Sequence, residues 1–210
     1  YGEALARVEA LKAQYAKAGY GTGHRVALLL YNRPEHFLHL LALNALGAGI
    51  VPVNPDYAPD ETLYLVEHSD AALAISTPER VADLEAVSKR RGKPFPVLNA
   101  FALPAAFPPA PGKAGARPGA ETEAALFYTS GTTGRPKGCI ISNTYFLNVG
   151  NQYARFGGVI EIRPGRDRIL NPLPLFHQNC GAVTFTMAVL TRNCLIVADR
   201  FHARSWWRDC

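Results

Sequence analysis

The residues best suited to chemistry are Tyr128 to Gly138, which read YTSGTTGRPKG. Thr129, Ser130, Thr132 and Thr133 offer hydroxyl donors, while Gly131, Gly134 and Gly138 let backbone N–H groups come close to an anion. Lys137 adds a mobile positive charge. The combination describes a cradle for a phosphate chain, with a Gly/Ser/Thr turn of no function as the alternative. It is not the Walker A pattern, which needs Gly-Lys followed by Ser or Thr; here Pro136 precedes the lysine and Gly138 follows it. A second candidate lies in the segment LPLFHQNCG, where His177 follows a strand and stands between Phe176 and the small or polar Gln178, Asn179 and Gly181. A strand end running into a loop is a common position for a functional side chain, although a lone histidine is more often a hydrogen-bonded structural residue than a catalyst.

These groups need rigid elements to hold them. Residues 124–128 are apolar enough for a strand that leads into the loop, and 139–141 read as its hairpin partner, so that the loop is held at both ends. A helix is expected from 143 to 156, a strand at 168–173, a buried helix at 182–190, a strand at 194–198 and the start of a helix from Ala203. Upstream, Leu5, Val8, Leu11 and Tyr15 recur at helical spacing, so residues 3–18 read as an amphipathic surface helix. RVALLLY at 25–31 is a continuous apolar run of the kind buried on both faces in a parallel sheet. A helix over 35–48, strand 50–53, helix 60–69, strand 72–76, helix 78–91 with Thr77 as its N-cap, and strand 95–98 complete the alternation. Strands alternating with helices predict an α/β fold with a mostly parallel sheet flanked by helices. Three regions follow: 1–99, a first α/β region; 100–122, a Pro/Ala-rich surface linker expected to be poorly ordered over 104–120; and 123–210, the α/β region carrying the loop. The first strand is followed by NRPEHF rather than G-x-G-x-x-G, so a dinucleotide site of the Rossmann kind lacks its turn.

At 210 residues and 48% hydrophobic content the chain can bury a sizeable core. A net charge of +5 raises the question of a nucleic-acid partner, but the cations are scattered and the one run, Lys89, Arg90, Arg91 and Lys93, suits a helix C-terminus. Nucleic acid is not expected. Cys139, Cys180, Cys194 and Cys210 form no C-x-x-C pair and no zinc spacing, which points to a reducing cytoplasm and no bound metal. The longest apolar stretch, 37–53, is broken by His39, Asn44, glycines and Pro52, so no membrane span is expected.

YTSGTTGRPKG resembles, almost letter for letter, the phosphate-binding signature of the adenylate-forming superfamily, which includes acyl-CoA synthetases and peptide-synthetase adenylation domains. PLPLFHQN at 172–179 resembles that superfamily's next signature, in the family's order. VALLLYNRPEHF and ALGAGIVPVNPDYAPDETLYLVEHSDAALAI resemble its opening α/β region, so the likeness covers nearly the whole chain. It implies the N-terminal portion of the large domain of an ATP-dependent acyl-CoA synthetase, with ATP, Mg²⁺ and coenzyme A as cofactors and a small carboxylic acid as substrate. Lys137 and the hydroxyls of Thr129, Ser130, Thr132 and Thr133, with Gly131 and Gly134, would hold the phosphates. His177 would lie beside the reacting carboxylate, and Phe176, Gln178, Asn179 and Gly181 would line the acyl pocket. The alternatives are an adenylation domain that loads a carrier protein, and a non-catalytic nucleotide- or anion-binding module. One departure is that Ser142 and Asn143 follow GCII, where many members carry a histidine. The other is that the family's adenine motif, ribose-binding aspartate, hinge and C-terminal lysine are absent. The expectation is therefore an N-terminal piece that awaits the remainder of the same enzyme and is inactive alone.

Overall fold

The computed structural model describes residues 1–129 and 135–210, which fall into two compact units: 1–30 with 34–143, and 31–33 with 144–210.

In the first unit, helix α1 (Gly2–Lys17) precedes strand β1 (Arg25–Leu29), helix α2 (Pro34–Asn44), strand β2 (Gly49–Pro52), helix α3 (Pro59–His68) and strand β3 (Leu73–Ser76). A 3₁₀ turn at Pro78–Arg80 leads into helix α4 (Val81–Arg90), followed by strands β4 (Val97–Asn99), β5 (Glu123–Thr129) and β6 (Lys137–Ser142). The sheet order is β4-β3-β1-β2-β5-β6, parallel throughout except for the antiparallel β5–β6 edge pair. β1, β2 and β3 are buried on both faces, as their unbroken apolar sequences require. Val8, Leu11 and Tyr15 turn the buried stripe of α1 inward, but Leu5 stays 61% exposed. Thr77 does not cap the helix that follows it: no side-chain cap bond forms, and its hydroxyl is buried without a partner among the described residues.

The bidentate pair of Arg25 and Glu123, at 2.6 and 2.8 Å, joins the start of β1 to the start of β5, and a third guanidinium donor reaches the Ser69 carbonyl at the end of α3. Gly49 is the close-approach residue that admits this pair, because a Cβ there would stand 2.8 Å from the Glu123 carboxylate. The Pro/Ala-rich stretch forms no helix or strand, yet it is tied down rather than loose. Ala110 and Gly115 donate to the carbonyls of Ala18 and Thr22, His24 Nε2 meets the Pro111 carbonyl at 2.8 Å, and Phe107 is buried edge-on against Tyr15. Low propensity for regular structure did not mean low order, because buried aromatic area and backbone donors found partners outside the strap itself.

In the second unit, helix α5 (Asn143–Ala154, beginning at the boundary) leads through a 3₁₀ turn at Gly158–Ile160 to strand β7 (Arg168–Asn171). A π-helical turn at Asn179–Thr184 runs into helix α6 (Phe185–Leu190), followed by strand β8 (Cys194–Val197) and helix α7 (Trp206–Asp209). β7 and β8 pair in parallel. The 182–190 segment expected to be one helix is thus split between π and α geometry. Gly150 lets α5 press on α6, since a Cβ there would meet Thr186 Cγ2 at 2.6 Å.

Candidate functional site

The loop candidate sits in the first unit. Tyr128 pairs with Gly138 and Thr129 with Lys137 across the β5–β6 hairpin. Directly opposed residues of an antiparallel pair project to the same face, so the Thr129 hydroxyl and the Lys137 stem share one side of the hairpin mouth. Both are exposed, and the Lys137 ammonium has no partner among the described residues. Ser130, Gly131, Thr132, Thr133 and Gly134 lie outside the described residues. At Gly138 a Cβ would stand 3.0 Å from Leu126 Cδ1 and 3.4 Å from Tyr128 Cζ, so the glycine accommodates the side chains of the opposing strand.

Helix α3 meets both shoulders of this hairpin. Pro59 occupies its first turn and Glu61 Oε2 accepts the Ala58 N–H at 2.8 Å, which fixes where the helix starts. One turn apart on it, Tyr64 donates its hydroxyl to the Pro136 carbonyl at 3.0 Å and His68 Nδ1 meets the Tyr128 hydroxyl at 2.8 Å. The Arg135 guanidinium lies over the Tyr64 ring at 5.1 Å. Desolvation pushes the Tyr128 phenol up to about 12, so it keeps its proton at neutral pH and remains a donor.

The histidine candidate sits in the second unit, on the turn between β7 and the π-helical segment. His177 is exposed, its ring nitrogens have no partner among the described residues, and its ring tilts against Phe176 at 4.5 Å. Its backbone is fixed: the N–H donates to the Pro174 carbonyl and the carbonyl accepts from Gly181 N–H. Gln178 bonds Tyr145, Asn179 accepts from Thr184 at 3.4 Å, and Gly181 is buried inside the π-helical turn. Asn32 staples this turn: its Oδ1 accepts from Leu175 N–H at 2.9 Å, and its Nδ2 donates to the Leu173 and Ala198 carbonyls. Burial pushes the Cys180 thiol up to about 12, which leaves it without a reactive thiolate.

Over residues 1–210 the sequence matches the family described as AMP-binding enzyme. The chain belongs to that family. Sulfoacetate–CoA ligase of Cupriavidus necator is 32% identical over 206 residues, which are 95% of this chain and 39% of that enzyme. 2-Succinylbenzoate–CoA ligase of Bacillus licheniformis is 31% identical over 204 residues, 91% of this chain and 38% of the relative. The chain thus spans about two fifths of the length of these curated relatives. Among solved structures, the inhibitor-bound N-terminal domain of FACL13 from Mycobacterium tuberculosis superposes with a TM-score of 0.82 at 24% identity, covering 99% of this chain and 52% of that one. O-succinylbenzoate coenzyme A synthetase (MenE) from Bacillus subtilis, solved with ATP and magnesium, gives 0.78 at 22% identity, covering 99% and 53%. The chain shares with these structures its fold, a mostly parallel sheet flanked by helices.

Family membership accounts for the motifs but not for the residues that brace them. Tyr64, His68, Arg25, Glu123 and Asn32 were not identified as site residues from the sequence. The only trace of the first two is their i, i+4 spacing on a helix, which is also what an ordinary buried stripe produces. No group of three metal-ligating side chains occurs among the described residues, and no helix there is long and apolar enough to cross a membrane.

Proposed function

We propose that this chain supplies the phosphate-binding and carboxylate-orienting parts of an AMP-forming acid–thiol ligase. A carboxylate oxygen would attack the α-phosphorus of ATP, pyrophosphate would leave, and the thiol of coenzyme A would then displace AMP to give the thioester. The observation that carries this reading is the Lys137 ammonium, exposed and without a partner among the described residues, on the same face of the hairpin mouth as Thr129, in a chain that matches the AMP-binding enzyme family over residues 1–210. An exposed cation on the same face as a hydroxyl fits the anionic oxygens of a triphosphate. Lys137, Thr129 and the loop residues Ser130, Gly131, Thr132, Thr133 and Gly134 would hold the β- and γ-phosphates, with Mg²⁺ arriving on the nucleotide and sharing the charge. His177, whose ring nitrogens have no partner among the described residues and whose backbone is fixed, would orient the carboxylate. Phe176, Gln178, Asn179 and Gly181 would shape the acyl pocket. The two curated relatives are CoA ligases by name, which supports coenzyme A over a carrier protein as the acceptor and a small carboxylic acid as the substrate. A cytoplasmic location agrees with four free cysteines.

The test is carboxylate-dependent ATP–pyrophosphate exchange in a protein that contains residues 1–210 together with the rest of a full-length ligase. Lys137→Ala should raise the KM for ATP, and His177→Ala should lower kcat with little change in that KM. Each loss should be roughly 30- to 1000-fold in kcat/KM, the scale of a charge-assisted transition-state contact. Unchanged exchange in both variants would refute the assignment. Residues 1–210 assayed alone should show no exchange, because they cover only 39% of the sulfoacetate–CoA ligase they resemble.

A further inference from the structure

The phosphate loop's two shoulders are separated along the chain but converge on one helix face. Tyr64 bonds the Pro136 carbonyl on the far shoulder and carries Arg135 over its ring, while His68 bonds the Tyr128 hydroxyl on the near shoulder. The Tyr64 and His68 rings lie 5.5 Å apart, and the His68 and Tyr128 rings 5.7 Å apart edge-on. Arg135, Tyr64, His68 and Tyr128 therefore form a continuous column that crosses from one shoulder to the other. β5–β6 pairing closes the circuit, since Tyr128 is opposite Gly138 and Thr129 opposite Lys137.

Core packing does not explain this column. Tyr64 and Tyr128 are half-buried, His68 and Arg135 are exposed, and α3 buries Thr62, Leu65 and Val66 on its other face. Among the described residues β6 is an edge strand, with Ile140 63% exposed and no further strand paired outside it. β6 has β5 as its sheet partner on one side, and α3 contacts both shoulders of the hairpin mouth. α3 is itself fixed at its end by the Arg25 bond to the Ser69 carbonyl. A loop that binds a polyanion through several donors loses affinity when its anchors are free to separate, because the ordering cost then falls on the binding step.

We infer that Tyr64 and His68 are positioning residues that hold the shoulders of the phosphate loop at a fixed separation and thereby set its affinity for a polyphosphate. This rests on the phosphate-loop reading given above. Neither residue touches the ligand; Tyr64 acts through Arg135 and Pro136, next to Lys137, and His68 acts through Tyr128, next to Thr129.

The experiment measures inorganic pyrophosphate binding to residues 1–210 by NMR titration, alongside thermal unfolding, for wild type, Tyr64→Phe, Tyr64→Ala, His68→Ala, Tyr128→Phe and Lys137→Ala. Tyr64→Phe, which keeps the ring under Arg135 and loses one hydrogen bond, should weaken binding about 5-fold. Tyr64→Ala should weaken it further, so the phenylalanine variant is a partial rescue. His68→Ala and Tyr128→Phe should each weaken binding by a similar factor, and the double variant should be no worse than either alone, because both remove the same bond. Melting temperatures should stay within a few degrees of wild type; a fall in affinity that tracks a fall in melting temperature would mean a merely structural role and overturn the inference. If Lys137→Ala loses binding while the Tyr64 and His68 variants bind like wild type, the positioning role is wrong and the phosphate loop stands. If wild type itself does not bind pyrophosphate and Lys137→Ala changes nothing, the phosphate-loop reading fails and takes this inference with it.

Discussion

Tyr15 and His39 meet at 2.8 Å between α1 and α2, and Tyr128 and His68 meet at the same 2.8 Å at the base of the β5–β6 hairpin mouth. The bond is the same, through Nδ1 in each case, but the surroundings differ. Tyr15 and His39 are 0% and 1% exposed, flanked by His36 at 2%, by Phe107 and by Tyr20. Burial pushes both His36 and His39 down to about 3, with His39 adding to the effect on His36 and Arg7 to that on His39, so the imidazoles stay neutral at any ordinary pH. His68 is exposed beside a half-buried Tyr128. The buried pair joins two helices; the exposed pair joins a helix to a hairpin whose mouth carries Lys137. A histidine–tyrosine bond is therefore no sign of function by itself, and what lies beside it decides its use.

The largest effect separating the two pairs should appear on acidification. The folded-state values of His36 and His39 lie below the usual 6.5, so the unfolded chain takes up protons first, and stability falls as pH drops from about 6.5 toward 3. Each histidine should contribute a slope of about 1 kcal/mol per pH unit in that window, enough together to unfold a domain of ordinary stability. Urea unfolding as a function of pH measures this; His36→Gln together with His39→Gln should flatten the slope, and an unchanged slope would break the comparison at its buried end.

Next in size is Tyr15→Ala, which empties a fully buried aromatic position and should cost about 3–5 kcal/mol. Tyr15→Phe keeps the ring and leaves His39 Nδ1 without its partner in the core, at about 1–3 kcal/mol. Both follow from denaturant midpoints at neutral pH. The smallest effect on stability is expected at the exposed pair: Tyr128→Phe should cost no more than about 1 kcal/mol. A loss at Tyr128 equal to that at Tyr15 would show that the hairpin base is core after all and that its environment had been misread.

The elements most legible in the sequence were those whose signal is local. RVALLLY became the central β1, the Leu/Ala-rich stretch became α2, and the expected 139–141 return strand became β6, which starts two residues earlier so that Lys137 and Gly138 are paired in the hairpin. Where the sequence misled, a distant partner had intervened. The 104–120 stretch has the composition of a loose linker, but Tyr15, Ala18, Thr22 and His24 hold it. The 182–190 helix was expected to be regular, and its neighbourhood instead takes π geometry from Asn179.

The sequence by itself determined the family and the strand–helix alternation and singled out Lys137 and His177 as candidates, because each depends on residue types at short spacings that the chain carries wherever it folds. Tertiary structure decided which histidines are buried and neutral and which are available. It also decided that Tyr64 and His68 reach residues 60 and more positions away, and that Asn32 fixes a turn more than 140 positions downstream. Those contacts depend on which elements become neighbours in the finished fold, through burial and hydrogen-bond satisfaction summed over the whole chain, and no window of sequence contains that sum.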